Sequence, residues 1–178
     1  KSNIIYLGNI NKVKQIQKFS ILFEEIIKKN NFNLRLDIFG EIIDFESFLN
    51  IKNLDKNIVQ INPPINHSKV NSLLKKFKFI VIPSESEVFP IVYYEALKAN
   101  VIPIVNNIEI FRLTSFTLKL NIFNINSSSS LYSTIRWAYN LNEDDYYKYL
   151  RTLKSEFIEY YKRQNQYFNY VLSFEENN

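Results

Sequence analysis

Apolar residues follow two alternating rhythms along this chain. Short, mostly apolar segments occupy Asn3 to Leu7, Leu34 to Phe39, Ile58 to Ile61, Phe79 to Ile82 and Val101 to Val105, interrupted only by Arg35, Asp37 and Gln60 after the leading Asn3. Runs of that length, closed by Gly8, Gly40, Pro63-Pro64 or Pro83, read as strands buried on both faces. A sixth strand is expected within Leu120 to Ile125. Between the runs the spacing changes to that of a helix. Val13, Ile16, Phe19, Leu22, Phe23, Ile26 and Ile27 share one face of a segment that ends at Asn30-Asn31, with lysines and glutamates opposite. A short helix is expected over Phe45 to Leu49. Ser68 is placed to cap another that carries Val70, Leu73, Leu74 and Phe77. Pro90 stands where a helix running to about Ala99 would start. A helix or turn near Ile108 to Phe111 and helices over Leu131 to Leu141 and Asp144 to about Leu172 complete the pattern. Strand and helix in alternation predict an α/β domain, a mostly parallel sheet covered on both faces, Rossmann-like and three-layered.

In such sheets ligands bind at the carboxyl ends of the strands. The Gly8 turn, the Gly40 turn and the acidic loop after Ile82 all fall on that edge. The loop holds Glu85 and Glu87, and Glu95 follows eight positions after Glu87. Glu87 is expected on the loop, Glu95 about two turns into the next helix, and Glu85 in solvent. Carboxylates that accept sugar hydroxyls, beside the N–H groups of a helix start that hold phosphates, suit a nucleotide-sugar.

Composition narrows the alternatives. With 46% hydrophobic and 16% aromatic residues in 178, the chain buries a real core. A net charge of +4 with scattered basic residues lacks the concentrated basic face of a nucleic-acid binder and fits a small anionic ligand or an anionic membrane surface. One histidine and no cysteine leave no disulfide framework, thiol chemistry or structural zinc site, and no metal is expected. His67 reads as part of a surface turn. No apolar run reaches the ~20 residues of a membrane span. The start, Lys1-Ser2-Asn3, has no signal-peptide pattern and enters a strand directly, which suggests a domain cut from a longer protein. Only two glycines are present, so asparagine, the next most tolerant residue, is expected where the backbone needs positive φ.

The segment from Pro83-Ser84 through Glu87-Val88-Phe89-Pro90-Ile91 to Glu95-Ala96-Leu97 resembles the retaining nucleotide-sugar glycosyltransferases of the GT-B fold, the group 1, family-four type. The resemblance covers Asn3 to about Leu141, as a C-terminal donor-binding domain. Gly8-Asn9-Ile10 with Lys14 resembles the family's Gly-Arg-Leu turn and its following Lys; Gly40-Glu41 resembles its Gly-x-Gly turn. Ile102-Pro103-Ile104-Val105 is similar to its Pro-Val-Val strand, and Asn106-Asn107-Ile108-Glu109 to its Gly-Gly-x-x-Glu turn; Asn100, Asn106 and Asn107 stand where the family has Gly, which implies that they supply the left-handed backbone there.

The resemblance implies that Glu87 holds the donor sugar as the catalytic-site carboxylate and that Glu95 holds the ribose. Gly8, Asn9 and Lys14, with Phe89, Pro90, Ile91 and Val92 at the helix start, would meet the diphosphate, and Lys12 could stand in for Lys14. Asn9 replaces the family's phosphate-binding Arg, and Val88 and Pro90 replace loop glycines, which bears on donor affinity and choice. No metal-binding Asp-x-Asp follows a strand, since Asp144-Asp145 reads as a helix start, and this argues against the metal-dependent GT-A class.

The expectation is therefore a donor-binding domain at 1–141 and a helical segment at 142–178. That segment's stripe of Tyr149, Leu153, Phe157, Tyr160 and Tyr161 would pack on the domain or on a missing N-terminal one. The expected partners are a nucleotide-sugar, that N-terminal domain and, peripherally, a membrane; the expected location is the cytoplasm. Two other readings remain: a non-catalytic GT-B-like module in a glycosylation complex, and a nucleotide-sugar epimerase of the same architecture.

Overall fold

The computed structural model describes residues 2–87, 91–114 and 121–175. Within them six strands form one sheet: β1 (Ser2–Leu7), β2 (Leu34–Phe39), β3 (Val59–Asn62), β4 (Phe79–Ile82), β5 (Ile102–Asn106) and β6 (Ile122–Phe123). Every pairing is parallel, in the order β3-β2-β1-β4-β5-β6. The Rossmann-like α/β expectation is met. The chain leaves β1 for β2 and β3, then returns to lay β4 on the other side of β1, with Ile4 opposite Phe79 and Ile5 opposite Ile80. That reversal opens a crevice at the carboxyl ends of β1 and β4.

The period of two along β1 divides its side chains between the two faces. Ile4 and Tyr6 join the larger core with Phe19, Phe23 and Phe79; Ile5 joins the smaller one with Leu74, Ile80 and Ala96. The helices are α1 (Ile16–Asn30), α2 (Phe45–Lys52), α3 (Val70–Leu74), α4 (Ile91–Lys98), α5 (Glu109–Thr114), α6 (Ser128–Asn140) and α7 (Glu143–Glu175).

Two helix starts depart from expectation. α1 begins at Ile16, not near Val13, because Asn11 Oδ1 accepts the Lys14 N–H at 2.9 Å and Gln15 turns into the left-handed region at φ 51. A side chain that captures a nearby N–H competes with helix, and here it leaves Lys14 on a turn. The helix expected from Ser68 is instead a 3₁₀ turn over His67–Lys69 followed by the five residues of α3. Its cap is Asn66, whose Oδ1 accepts from Ser68 N at 3.0 Å, and Phe77 lies beyond the helix. Pro64 limits how early the helix can start, and Asn66 offers an acceptor before Ser68 does.

The aromatic stripe of α7 is core over its first half. Tyr146, Tyr149, Leu150 and Leu153 are buried, the Tyr149 hydroxyl donates to Asn121 Oδ1 at 2.8 Å, and the Phe157 ring lies 5.6 Å from that of Tyr93 on α4. No described helix is long and apolar enough to cross a membrane.

Candidate functional site

The end of β1 is fixed by close backbone contact. Gly8 has φ +153, a conformation that side-chain-bearing residues rarely adopt, and its N–H donates to Phe39 O at 3.1 Å. Gly40 lies against it so closely that a Cβ there would stand 1.8 Å from Gly8 O. Beneath the turn the buried Tyr6 hydroxyl donates to Asn9 O at 2.8 Å. Burial first, and then the Glu87 carboxylate, hold Tyr6 ionisation well above the ordinary tyrosine range, so this donor stays neutral. The chain then runs through Lys14 to Gln15, the residue before α1.

The end of β4 meets this turn. Glu85 N donates to Val13 O at 3.1 Å, stitching the acidic loop to the turn that carries Lys14. Lys14 Nζ and Glu87 Oε1 are 2.7 Å apart, and the two side chains are 31% and 12% exposed. A charge-assisted pair this close and mostly shielded is a strong contact. It forms one wall of a cleft of about 230 Å³ whose other walls include Tyr6, Gly8, Ser84, Ile91 and Val92. Larger hollows of about 470 Å³ beside Glu25 and Tyr132, and about 410 Å³ beside Trp137 and Tyr149, lie against helices away from the strand ends. The smaller cleft is the functional candidate because it sits at the sheet reversal and gathers charge there.

The structure thus brings together Gly8, Lys14, Glu87, Ile91 and Val92 from the expected set. Asn9 offers its carbonyl to Tyr6 and is otherwise exposed. Glu95 does not line this cleft; it lies on α4 with Oε1 3.7 Å from Nδ1 of the exposed His67. Phe89 and Pro90 lie outside the described residues, as does Val88. Glu85 is exposed, as expected, and Lys12 pairs with Glu46 at 3.3 Å on the surface.

A family model described as glycosyl transferases group 1 matches residues 1–152. The chain belongs to this family. No match was found among curated protein sequences. Among solved structures, this group 1 glycosyltransferase chain is similar to the C-terminal domain of the group 1 family protein LpcC of Francisella tularensis (20% identity, 90% of this chain and 86% of that one, TM-score 0.72). It is similar to the catalytic domain of a Helicobacter pylori cholesterol-alpha-glucosyltransferase (16% identity, 91% and 98%, TM-score 0.68). A third is the E. coli trehalose-6-phosphate protein bound with UDP-2-fluoro glucose (8% identity, 89% and 41%, TM-score 0.73). The chain spans less than half the length of that last protein. At these identities the structural likeness concerns the fold, which is GT-B.

Two residues of this candidate site escaped the sequence reading. Asn106 was expected, with Asn100 and Asn107, to supply left-handed backbone. Only Asn100 does so, at φ 64; the other two are not among the positive-φ residues. Asn106 acts instead through its side chain, which is 5% exposed. Its Nδ2 donates to Ser84 O at 3.1 Å, and its Oδ1 accepts from Asn107 N at 2.9 Å and Ile125 N at 3.0 Å. One amide therefore ties the ends of β4, β5 and the segment after β6 together. Its signal in the sequence was a polar residue continuing the apolar run Ile102-Pro103-Ile104-Val105. Ser84, named in the sequence reading only as part of the Pro83-Ser84 start of the family-like segment, places a buried hydroxyl on the cleft wall.

Proposed function

We propose that this chain is the donor-binding half of a retaining glycosyltransferase that moves a hexosyl unit from a nucleoside diphosphate sugar to a glycan, lipid or protein acceptor. The observation that carries this reading is the Lys14–Glu87 pair in the crevice between β1 and β4. A cation there suits a diphosphate, and an acceptor-only carboxylate suits sugar hydroxyls. When donor enters, Lys14 would turn from Glu87 to the phosphoryl oxygens, and the freed carboxylate would orient the sugar. The first N–H groups of α4, at Ile91 and Val92, would face the departing diphosphate, where the helix dipole favours negative charge. Glu95, further along α4, would take the ribose hydroxyls. Charge neutralisation by Lys14 needs no metal ion. The E. coli protein bound with UDP-2-fluoro glucose, similar in fold, supports a nucleotide-sugar as ligand class.

Acceptor binding would fall to an N-terminal domain, with peripheral contact at the inner face of a membrane, and the isolated fragment would transfer nothing. Calorimetric titration with UDP, GDP and their sugar conjugates tests the reading, with Glu95→Ala and Lys14→Met as controls. Binding of one nucleotide family that both substitutions weaken supports it; no binding to any of them by the folded chain refutes it. A second reading, a non-catalytic module, draws on the absence of a cationic side chain at Asn9 and on the engagement of Lys14 with Glu87. It requires that Glu87→Ala leave the activity of the full-length protein unchanged.

A further inference from the structure

We propose that the Ser84 hydroxyl is a ligand contact in this crevice and donates a hydrogen bond to a phosphoryl oxygen of the bound nucleoside diphosphate; the inference rests on the donor-binding reading above. Ser84 is 1% exposed, and among the described residues its Oγ has no hydrogen-bond partner. It nevertheless lies on the wall of the cleft that Lys14 and Glu87 share. A buried hydroxyl without a partner is costly to keep, and such groups in native proteins call for a specific explanation.

The surroundings of Ser84 leave it little freedom to find a partner within the protein. Its carbonyl is held by Asn106 Nδ2 at 3.1 Å, and the next residue, Glu85, is held through its N–H to Val13 O at 3.1 Å. Pro83 precedes it with a fixed φ. The backbone is clamped on both sides, which leaves rotation about χ1 as the hydroxyl's main freedom. Asn106 therefore serves as a positioning residue for Ser84.

The chemistry of the cleft points to phosphate as the partner. Glu87 can only accept hydrogen bonds and is matched to hydroxyls. Lys14 can only donate, and the Ser84 O–H is a second donor on the same wall. Two donors of this kind, one charged and one neutral, complement the several acceptor oxygens of a diphosphate.

The test measures two properties of Ser84→Ala in the intact chain. Affinities for UDP, GDP and their sugar conjugates are measured by calorimetry. We expect about a 10- to 100-fold loss, as for a hydrogen bond to a charged acceptor, and an equal factor for the nucleotide and its conjugate. The thermal midpoint of the unliganded variant should equal or exceed that of wild type, because an unpaired polar group has been removed. Unchanged affinity in a wild type that binds would overturn this inference and leave the donor reading standing. A loss confined to the sugar conjugate would overturn the phosphate assignment. A fall in midpoint of several degrees would overturn it as well, by making the hydroxyl structural. Failure of wild type to bind any of these nucleotides would remove the donor reading, and this inference with it.

Discussion

Replacing Gly40 with alanine should unseat the whole β1 rim. The added Cβ would meet Gly8 O at 1.8 Å and Gly8 C at 2.7 Å, both backbone atoms. The first distance is roughly 1.5 Å short of ordinary van der Waals contact, and a strand end cannot yield that far without breaking its hydrogen bonds. Four such bonds run across this corner: Gly8 N to Phe39 O, Ile10 N to Glu41 O, and Ile43 N and Asp44 N to Ile10 O, at 3.1, 2.8, 3.1 and 2.9 Å. Overpacking alone costs about 1–3 kcal/mol. Losing the first two bonds adds about 1 kcal/mol each. The expected destabilisation is therefore about 3–5 kcal/mol, read as a lower denaturant midpoint with an unchanged slope. Gly8→Ala provides a contrast. The three atoms nearest its Cβ would all belong to the Tyr6 side chain, with Oη at 3.0 Å, so a side chain rather than backbone would have to give, and the positive φ adds its own cost. A Gly40→Ala loss below about 1 kcal/mol would refute the reasoning, since it would mean that the two glycine turns are not in contact.

Three further outcomes follow from contacts around the same rim. Tyr6→Phe removes the hydroxyl that holds Asn9 O and should cost about 1 kcal/mol near neutral pH. Because the folded-state ionisation of Tyr6 is raised, wild type loses stability as pH climbs above the unfolded value of about 10; the variant should lose less there, in unfolding midpoints measured across that range. Asn106→Ala strips the partners from Ser84 O and Ile125 N, while Asn107 N keeps Phe123 O, so a loss of about 2–4 kcal/mol is expected by chemical denaturation, and a neutral result would contradict the clasp. Asp44 caps α2 with its carboxyl held below the usual range, first by the Ser47 hydroxyl. Its stabilisation is present above the unfolded carboxylate value and lost as pH falls through the folded one, so Asp44→Asn should flatten the acid limb of the stability profile.

How much of this could be read in advance divides along physical lines. The strands were legible because both faces of a parallel sheet are buried, and runs such as Phe79–Ile82 then contain little else. The meeting of the Gly8 turn with the Glu87 loop followed from topology once alternation implied a parallel sheet. The pairing of Lys14 with Glu87 did not, because both had been assigned to ligand and nothing in spacing reveals that two such groups reach each other first. Glu95 was read as a partner of Glu87 by spacing, yet it faces His67, since helical phase decides which residue turns toward the crevice. Asn106 was misread for a related reason: asparagine serves both as a substitute for glycine and as a buried hydrogen-bonding clasp, and the resemblance to a Gly-Gly turn favoured the first.

The central position of β1 also bears on how the chain acquires its crevice in time. Lys14 and Glu87 are 73 residues apart in sequence, and their strands are neighbours only because β4 returns past β2 and β3. The length-dependent part of closing such a loop costs roughly 4 kcal/mol, which nothing repays until β4 docks. Until then an emerging chain holds β1 with one open hydrogen-bonding edge, a template for mispairing with another copy. Completing the crevice and sealing that edge are one event. Substitutions that slow the docking of β4 would lower the yield of folded protein during synthesis before they affected the molecules that succeed.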